Sequence, residues 1–375
     1  MERINKKGVP TETEGGKEIE QAEIGTSMLL ESLLDKEVRS IDPLNADTFF
    51  AETLPLLNEV GDVESITAAV RYFLPSLEQI ENFGIVEGRA ALRDLGHIAA
   101  SLRRHEVDIE TLPDLKDGLL RLSNLTDEVP RDTVFSYGPR NPEGDRQRTF
   151  TSLQAERIFI NSFTVGMENL INGASALLNA KKLGPSDPEW ISLCSNASQS
   201  FDRMIDAIRD VRENISPEIF TNSLRPYFEP ILIDGNLYHG PGGAQMPVLL
   251  YDQLIWGSDS ENETYRSYAS VNVAYSPPSV RNLMNALDGK SSMVTQVKSV
   301  YGVKSSPLEG SAQALIKVLN TMLRFRAPHR MVAANNFVIR PEFALGSGGY
   351  SESILDLLLT ETNSARSQLI SVVND

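Results

Sequence analysis

A histidine in a helical stretch near the end of the chain has the type and the surroundings to bind a metal. His329 is one of four histidines. Its neighbours at helical spacing, Met322, Phe325 and Val332, are apolar, so the imidazole is predicted to face apolar surroundings. One neutral imidazole holds a free divalent ion weakly, but it suffices as the protein ligand of a haem, whose porphyrin supplies four further donors. The pattern alone favours the alternative, a hydrogen-bonded core histidine.

Two further features accompany His329. Arg326 lies one turn earlier and is placed to meet a haem propionate, while Pro328 removes a helical N–H and predicts a bend. Farther along, Gly346-Ser-Gly-Gly349 forms a glycine-rich loop whose backbone can approach a ligand closely. Without other information, this loop is interpreted as a flexible link between helices.

An arginine within an aromatic segment is the second candidate for binding chemistry. Arg225 stands between Leu224 and Pro226 and precedes Tyr227 and Phe228. Its planar guanidinium could bind the carboxylate of a substrate. An internal ion pair with one of the 51 acidic residues is an equally good interpretation.

Composition excludes several classes of function. The chain has 375 residues, 41% of them hydrophobic, and a formal charge of −16, which disfavours nucleic acid and anionic membranes as partners. A single cysteine, Cys194, rules out a disulfide framework and predicts a cytoplasmic location. No apolar run approaches the roughly 18 residues of a membrane span. A P-loop, a His-Glu-x-x-His helix and a Gly-x-Ser-x-Gly elbow are also missing from the sequence.

The apolar periodicity predicts an all-α protein with a smaller N-terminal part. Residues 1–26 form a polar tail, 27–133 a smaller helical part, 134–150 an irregular connection, and 151–375 a larger helical domain. Within the larger part, helices are predicted over 152–182, 190–214, 308–337 and 351–373. Convincing strands are not predicted anywhere.

Several sequence blocks, in this order, resemble the indoleamine and tryptophan dioxygenase superfamily of haem proteins. The blocks are Ser223-Leu-Arg-Pro-Tyr227, Asp234-Gly-Asn-Leu-Tyr238 leading into Gly242-Gly-Ala-Gln245, Pro277-Pro-Ser-Val-Arg281, the helix with Arg326 and His329, and Gly346-Ser-Gly-Gly349. The implied fold is an indoleamine 2,3-dioxygenase-like helical haem protein.

Within that superfamily the chain resembles more closely the monodechloroaminopyrrolnitrin synthase family, which performs the second step of pyrrolnitrin biosynthesis. This likeness covers nearly the whole chain beyond the polar tail. It rests on Leu323-Arg-Phe-Arg-Ala-Pro-His329, Gly346-Ser-Gly-Gly-Tyr350, Leu224-Arg-Pro-Tyr-Phe-Glu-Pro230, Gly240-Pro-Gly242 with Met246-Pro247, Trp256-Gly-Ser258 with Thr264-Tyr-Arg266, and Arg93-Asp-Leu-Gly96 with Ser101-Leu-Arg-Arg-His105.

The resemblance implies roles for individual residues. His329 becomes the proximal ligand of the iron of haem b, and Arg326 stays with it as a cofactor-binding residue. Arg225 takes the tryptophan carboxylate. Ser347 and Gly348 close over the substrate from the glycine-rich loop. The remaining residues assigned to the substrate pocket are Gly243 in its own loop, Phe135, and Ser162 with its neighbours Phe159 and Asn161 on one helix.

The implied reaction is an oxidation of tryptophan or 7-chlorotryptophan with dioxygen or peroxide. In the leading hypothesis the indole is rearranged to an aminophenylpyrrole with loss of the carboxyl carbon. A plain tryptophan or indole dioxygenase or monooxygenase is the alternative within enzymes. A non-catalytic haem-binding or interaction protein is the alternative from another class. The need for an electron donor is left open.

Overall fold

The computed structural model describes residues 31–301, 308–339, 345–346 and 349–374, with the backbone alone at 332–339. The predicted polar tail, 1–26, and the loop residues Ser347 and Gly348 lie outside these ranges. The described chain is mostly helical, as the sequence analysis predicted. The exceptions are its loops and one short hairpin. No helix within these ranges is long and apolar enough to cross a membrane.

The N-terminal part is a set of mostly short helices. They are α1 (31–40), α2 (Leu54–Val60), α3 (Val63–Phe73), α4 (Leu77–Asn82), α5 (Ile85–Arg104) and α6 (Pro113–Thr126). Side chains cap two of their starts. Asp62 accepts a hydrogen bond from the Ser65 N–H at α3, and Ser76 and Gln79 form a capping box at α4. The central α5 is buried along residues 88–102, so it forms the middle of this part.

A small antiparallel hairpin, absent from the sequence-based prediction, adds to this part. Its strands are β1 (Ile231–Ile233) and β2 (Asn236–Tyr238). Asp234 and Gly235 join them with φ of 50° and 72°, as a two-residue type I′ turn requires. Ile231 and Ile233 point into the core around α5. The prediction of no strand was therefore wrong here, although Asp234-Gly235 after an apolar segment is itself a hairpin signal.

The C-terminal part contains the longest helices. They are α7 (Val134–Tyr137), α8 (Gln154–Leu183), α9 (Glu189–Asn214), α10 (Pro217–Ile219), α11 (Val248–Asp252), α12 (Glu263–Val273), α13 (Pro278–Leu287), α14 (Met293–Tyr301), α15 (Leu308–Ile339) and α16 (Glu352–Asn374). The four predicted long helices correspond to α8, α9, α15 and α16, and this prediction is confirmed. Pro328 lies inside α15.

The described residues form two hydrophobic cores. One lies among α2, α3, α5 and α6 together with the hairpin, and the other joins α8 and α9 to α11–α16. The division of the chain into domains nevertheless stays a prediction, because residues of the predicted connection, 134–150, are buried between elements of both parts.

Buried arginines tie this connection to the N-terminal helices. Arg140 contacts Asp35 and Glu128, each at 2.6 Å, and Arg148 contacts Asp94 at 3.2 Å. Buried charges need such partners, since removing one of a pair leaves an uncompensated charge that costs about 3–5 kcal/mol. Most of the segment 134–150 is thus packed in the interior, and residues 143–145 are exposed.

Candidate functional site

A cavity of about 350 Å³ lies among α8, α9, α15 and α16 and is closed on one side by the loop at 241–246. Its size is typical of a site for a small molecule or cofactor. Most of its wall is apolar. The polar side chains on the wall include Ser162, Arg225, Asp252, Arg326 and His329.

His329 faces this cavity from α15. Burial, with a smaller effect of the neighbouring Arg326 charge, lowers the pKa of the imidazole to about 4, so the ring is neutral at pH 7. Phe325, one turn earlier, stacks on the ring with centroids 5.4 Å apart. Within the described chain no hydrogen bond engages the imidazole. Its lone pair is therefore available to a ligand in the cavity.

Gly243 lies beside this imidazole. It begins the 3₁₀ turn Gly243–Gln245 on the opposite wall. A Cβ atom placed on Gly243 would stand 3.6 Å from Cε1 and 3.7 Å from Nε2 of His329. The backbone at Gly243 therefore packs close to the ring of His329. The two residues, assigned separately from the sequence, thus lie together.

Arg326 also lines the cavity, but its guanidinium is engaged by protein groups. It contacts both carboxylate oxygens of Asp252, at 2.6 and 2.7 Å, donates to the Leu358 carbonyl at 2.9 Å, and contacts the Thr362 hydroxyl. Burial raises the pKa of Asp252 to about 6, and the charge of Arg326 opposes that rise. This cluster joins α11, α15 and α16 around His329. The contact of Arg326 with a propionate stays a prediction.

Arg225 both forms an internal ion pair and lines the cavity. It lies in a 3₁₀ turn, Arg225–Phe228, that follows a π-helical turn, and it lines the cavity. Its guanidinium donates to Glu229 Oε1 at 2.5 Å and to the Leu345 carbonyl at 3.1 Å. The side chain of Glu229 is 27% exposed, so water can solvate this carboxylate if a ligand takes its place. An internal ion pair and a cavity-facing cation therefore coexist.

An aromatic cluster forms the wall along α8. The ring of Phe159 lies 4.8 Å from Phe163 and 5.2 Å from Phe220, in edge-to-face arrangements that suit packing with a further aromatic ring. Ser162 lines the cavity too, and its hydroxyl donates to the Phe159 carbonyl at 2.7 Å. Phe135 packs elsewhere, beneath the guanidinium of Arg140 at 5.7 Å.

Asn161 also points away from the cavity. It accepts a hydrogen bond from Gln147 Nε2 at 3.1 Å. Helical spacing explains the difference from Ser162, since successive residues of α8 face different directions. The side chains of the predicted pocket that the structure brings together are therefore Phe159, Ser162, Arg225, Gly243 and His329.

The wall residues that the sequence analysis did not assign to the site include Asp252, Tyr268 and Tyr350. A signal for Asp252 was present, because it is the one acid in the apolar run 248–256. A lone carboxyl in such a run points to a buried cationic partner. The two tyrosines gave no comparable pattern, since their positions depend on the packing of α12 against the 349–350 segment.

The other histidines lie away from the cavity wall. His97 is buried and stacks on Phe150 at 3.7 Å, and burial lowers its pKa to about 3. His105 contacts Asn58 Oδ1 at 3.2 Å. The ring of His239 occupies the space beside Gly349, whose φ is 80°, so only glycine fits there. His97 is therefore a buried residue of the core.

A comparison with known protein families identifies the family of this chain. The family model described as monodechloroaminopyrrolnitrin synthase PrnB matches residues 35–375, nearly the whole chain. The match includes both cores and every residue of the cavity wall named above. The all-α fold of the dioxygenase-like type, predicted from the sequence blocks, is confirmed. With this fold, and with a match over nearly its full length, the chain belongs to the monodechloroaminopyrrolnitrin synthase PrnB family, whose members are enzymes of pyrrolnitrin biosynthesis.

Proposed function

We propose that the protein is a haem-dependent enzyme that rearranges the indole of tryptophan or 7-chlorotryptophan to an aminophenylpyrrole. The observation that carries the proposal is the neutral imidazole of His329, which faces an apolar cavity of about 350 Å³. Membership of the monodechloroaminopyrrolnitrin synthase family supports a role in pyrrolnitrin biosynthesis, and the resemblance found in the sequence implies tryptophan or 7-chlorotryptophan as the substrate.

The residues of the cavity fit a haem. His329 offers an uncharged nitrogen with no competing hydrogen bond in the described chain, and Gly243 packs beside it. The apolar wall suits the flat macrocycle. Among the described residues no cluster of three or more His, Cys, Asp or Glu side chains is placed to hold a metal ion. When bound, the haem would supply the redox chemistry that activates dioxygen or peroxide.

Arg225 and the aromatic cluster on the cavity wall would hold the substrate. Arg225 would bind the carboxylate of the amino acid in place of Glu229, because a planar guanidinium and a carboxylate form a bidentate pair. The rings of Phe159, Phe163 and Phe220 would pack on the indole and exclude water. Ser347 and Gly348 keep their predicted role in covering the substrate.

The visible spectrum of the purified, haem-reconstituted protein, followed by product mass, tests the proposal. We expect a Soret band that shifts when tryptophan is added, and a product that has lost the carboxyl carbon. A product that keeps this carbon and gains oxygen would identify a plain indole dioxygenase or monooxygenase. A haem spectrum without turnover of tryptophan or 7-chlorotryptophan would contradict an enzymatic role on these substrates.

A further inference from the structure

Four oxidisable side chains form a continuous series that begins at the cavity wall. Tyr350 and Tyr268 both line the cavity, and their ring centroids are 5.1 Å apart. Tyr268 lies 6.4 Å from Tyr265, which in turn lies 4.4 Å from Trp256. The series therefore leads from the cavity through the interior to an indole with 8% of its surface exposed.

The surroundings of the inner members hold the rings in place. Tyr265 is fully buried, and its hydroxyl accepts a hydrogen bond from Gln253 Nε2 at 3.0 Å. That hydroxyl fills the space where a side chain at Gly257 would begin, so the glycine allows the ring to reach Trp256. The hydroxyl of Tyr350 accepts from Asn272 Nδ2 at 3.0 Å. Fixed rings at short separations favour the transfer of an electron from one to the next.

A buried carboxylate adjoins the same series. Asp252 lines the cavity, and its charge acts on both Tyr265 and Tyr268, adding to the effect of burial in raising their pKa values. A phenol that loses an electron becomes a strong acid and must release its proton. The negative charge of Asp252 acts on both inner tyrosines and stabilises the positive charge that develops on a ring as it loses an electron.

The second tryptophan of the chain provides a comparison within the same core. Trp190 is fully buried, and its Nε1 donates to the Ser311 carbonyl at 3.2 Å. In the described ranges it makes no aromatic ring contact, whereas Trp256 contacts Tyr265. The two indoles are both buried, with 0% and 8% of their surface exposed, and only Trp256 is connected to the cavity by ring contacts among the described residues.

We propose that Tyr350, Tyr268, Tyr265 and Trp256 form a path that carries oxidising equivalents out of the cavity when no substrate is bound. The proposal rests on the proposed function, because the oxidant is hydrogen peroxide activated at a haem in the cavity. Peroxide takes two electrons and two protons and becomes two waters. Two ring oxidations supply them, each ring losing one electron and one proton to become a neutral radical. A thiol or ascorbate in solution then returns one electron and one proton to each ring.

Peptide mass spectrometry of the haem-loaded protein tests this path. After exposure to hydrogen peroxide without tryptophan, we expect oxygen to be added to Trp256 several-fold more than to Trp190. Rapid freezing and electron paramagnetic resonance should show a tyrosyl or tryptophanyl radical. Added tryptophan should decrease both signals, because the substrate consumes the oxidant. Equal oxidation of the two indoles would overturn the proposal.

Conservative variants test whether Tyr265 and Tyr268 carry oxidising equivalents to Trp256. Tyr265→Phe and Tyr268→Phe keep the ring but remove the oxidisable hydroxyl, so each should decrease oxidation at Trp256 and accelerate bleaching of the haem several-fold. Tyr251→Phe is the matched control, because Tyr251 is buried in the same core and contacts Phe201 outside the series. Unchanged oxidation of Trp256 in both path variants would overturn the path.

The Soret band and the oxidation of the two tryptophans together distinguish a failure of the path from a failure of the proposed haem site. A protein that develops a normal Soret band but oxidises Trp256 and Trp190 alike retains the proposed haem site and loses the path. A protein that takes up no haem overturns both, since the oxidant would then have no place to form. The two failures are therefore read from different measurements.

Discussion

The protonation state of His329 decides whether this side chain can bind iron, and the cavity keeps the ring neutral. A histidine with an ordinary pKa near 6.5 would be partly protonated at mildly acidic pH. Burial lowers this value to about 4, so the imidazole carries no proton on its ligating nitrogen at pH 7. The same burial would be unfavourable for a charged side chain. The apolar wall and the neutral ligand are thus consequences of one environment.

Replacement of His329 by alanine should abolish haem binding. His329 is the one histidine on the described part of the cavity wall, so no other imidazole can take its place. The measurement is the Soret band after reconstitution with haem. His105→Ala is the matched control, since that ring contacts Asn58 on the N-terminal side and should be dispensable for haem binding. A normal five-coordinate spectrum from His329→Ala would refute the assignment.

Removal of the Arg225 charge should weaken substrate binding without loss of haem. A charge-assisted hydrogen bond contributes about 1.5–3 kcal/mol, so Arg225→Gln should raise the tryptophan dissociation constant by roughly ten- to a hundredfold. Tryptophan titration, followed by the spectral shift of the haem, measures this constant. Because Glu229 now holds the guanidinium at 2.5 Å, Glu229→Gln should tighten binding instead. Equal weakening by both variants would show that the pair acts only in folding.

The sequence was more informative about residues that lie close together along the chain than about contacts between distant segments. The apolar neighbours of His329 are local, and helical spacing predicted them. Asp252 contacts Arg326 across 74 positions of the chain, and no local pattern reports such a contact. Phe135 shows the same limit, since its segment was placed near the pocket but its ring turns toward Arg140.

At the scale of elements, contacts of α11 and α16 with Arg326 hold the helical turn of α15 that carries His329. Arg326 reaches Asp252 at the end of α11 and the Leu358 carbonyl of α16. The three helices therefore meet at one buried guanidinium. This contact determines how α15 is rotated about its axis, and so determines that His329 faces the cavity.

Asp252→Asn should destabilise the fold strongly. The substitution leaves the Arg326 charge buried without a counter-charge, which costs about 3–5 kcal/mol in free energy of unfolding. Arg330→Gln, on the same helix as Arg326, is the control, because the pair of Arg330 with Asp356 is 38% and 50% exposed and is expected to contribute no more than about 1 kcal/mol. Urea unfolding at pH 7 measures both. Similar losses in the two variants would contradict a special role for the buried pair.

Elements differed in how well their sequence predicted them. The recurrence of apolar residues at helical spacing predicted α8, α9, α15 and α16 almost to their ends. The hairpin was missed because each strand has three residues, too few for an alternating pattern to stand out. The segment 134–150 was interpreted as an irregular connection from its prolines and glycines, although Arg140 and Arg148 within it are buried.

At the scale of the whole molecule, stacked rings connect the N-terminal core to the segment that carries Arg225. His97 of α5 stacks on Phe150, with centroids 3.7 Å apart and an interplanar angle of 1°. Phe150 stacks in turn on Tyr227 at 4.4 Å, two residues after Arg225. A change in the charge of His97 would therefore act at the contact between the two parts.

Stability should fall in acid because His97 is buried as a neutral ring. Its pKa is about 3 in the folded protein and about 6.5 when unfolded. Between these values the unfolded state binds one more proton, so this contribution is fully present above pH 6.5 and is lost as the pH falls. From pH 6.5 to pH 5 the loss amounts to about 2 kcal/mol.

His97→Phe should remove this part of the pH dependence. Phenylalanine keeps the stack on Phe150 but cannot be protonated, so the fall in unfolding free energy between pH 7 and pH 5 should be about 2 kcal/mol smaller than in the unsubstituted protein. Loss of the hydrogen bond between His97 and the Thr149 backbone would lower stability at both pH values and leave their difference unaffected. His105→Gln, at a half-buried ring, should change that difference less. Urea unfolding at the two pH values measures each quantity. An unaltered pH dependence in His97→Phe would mean that acid acts through other groups, such as the carboxylates paired with the buried arginines.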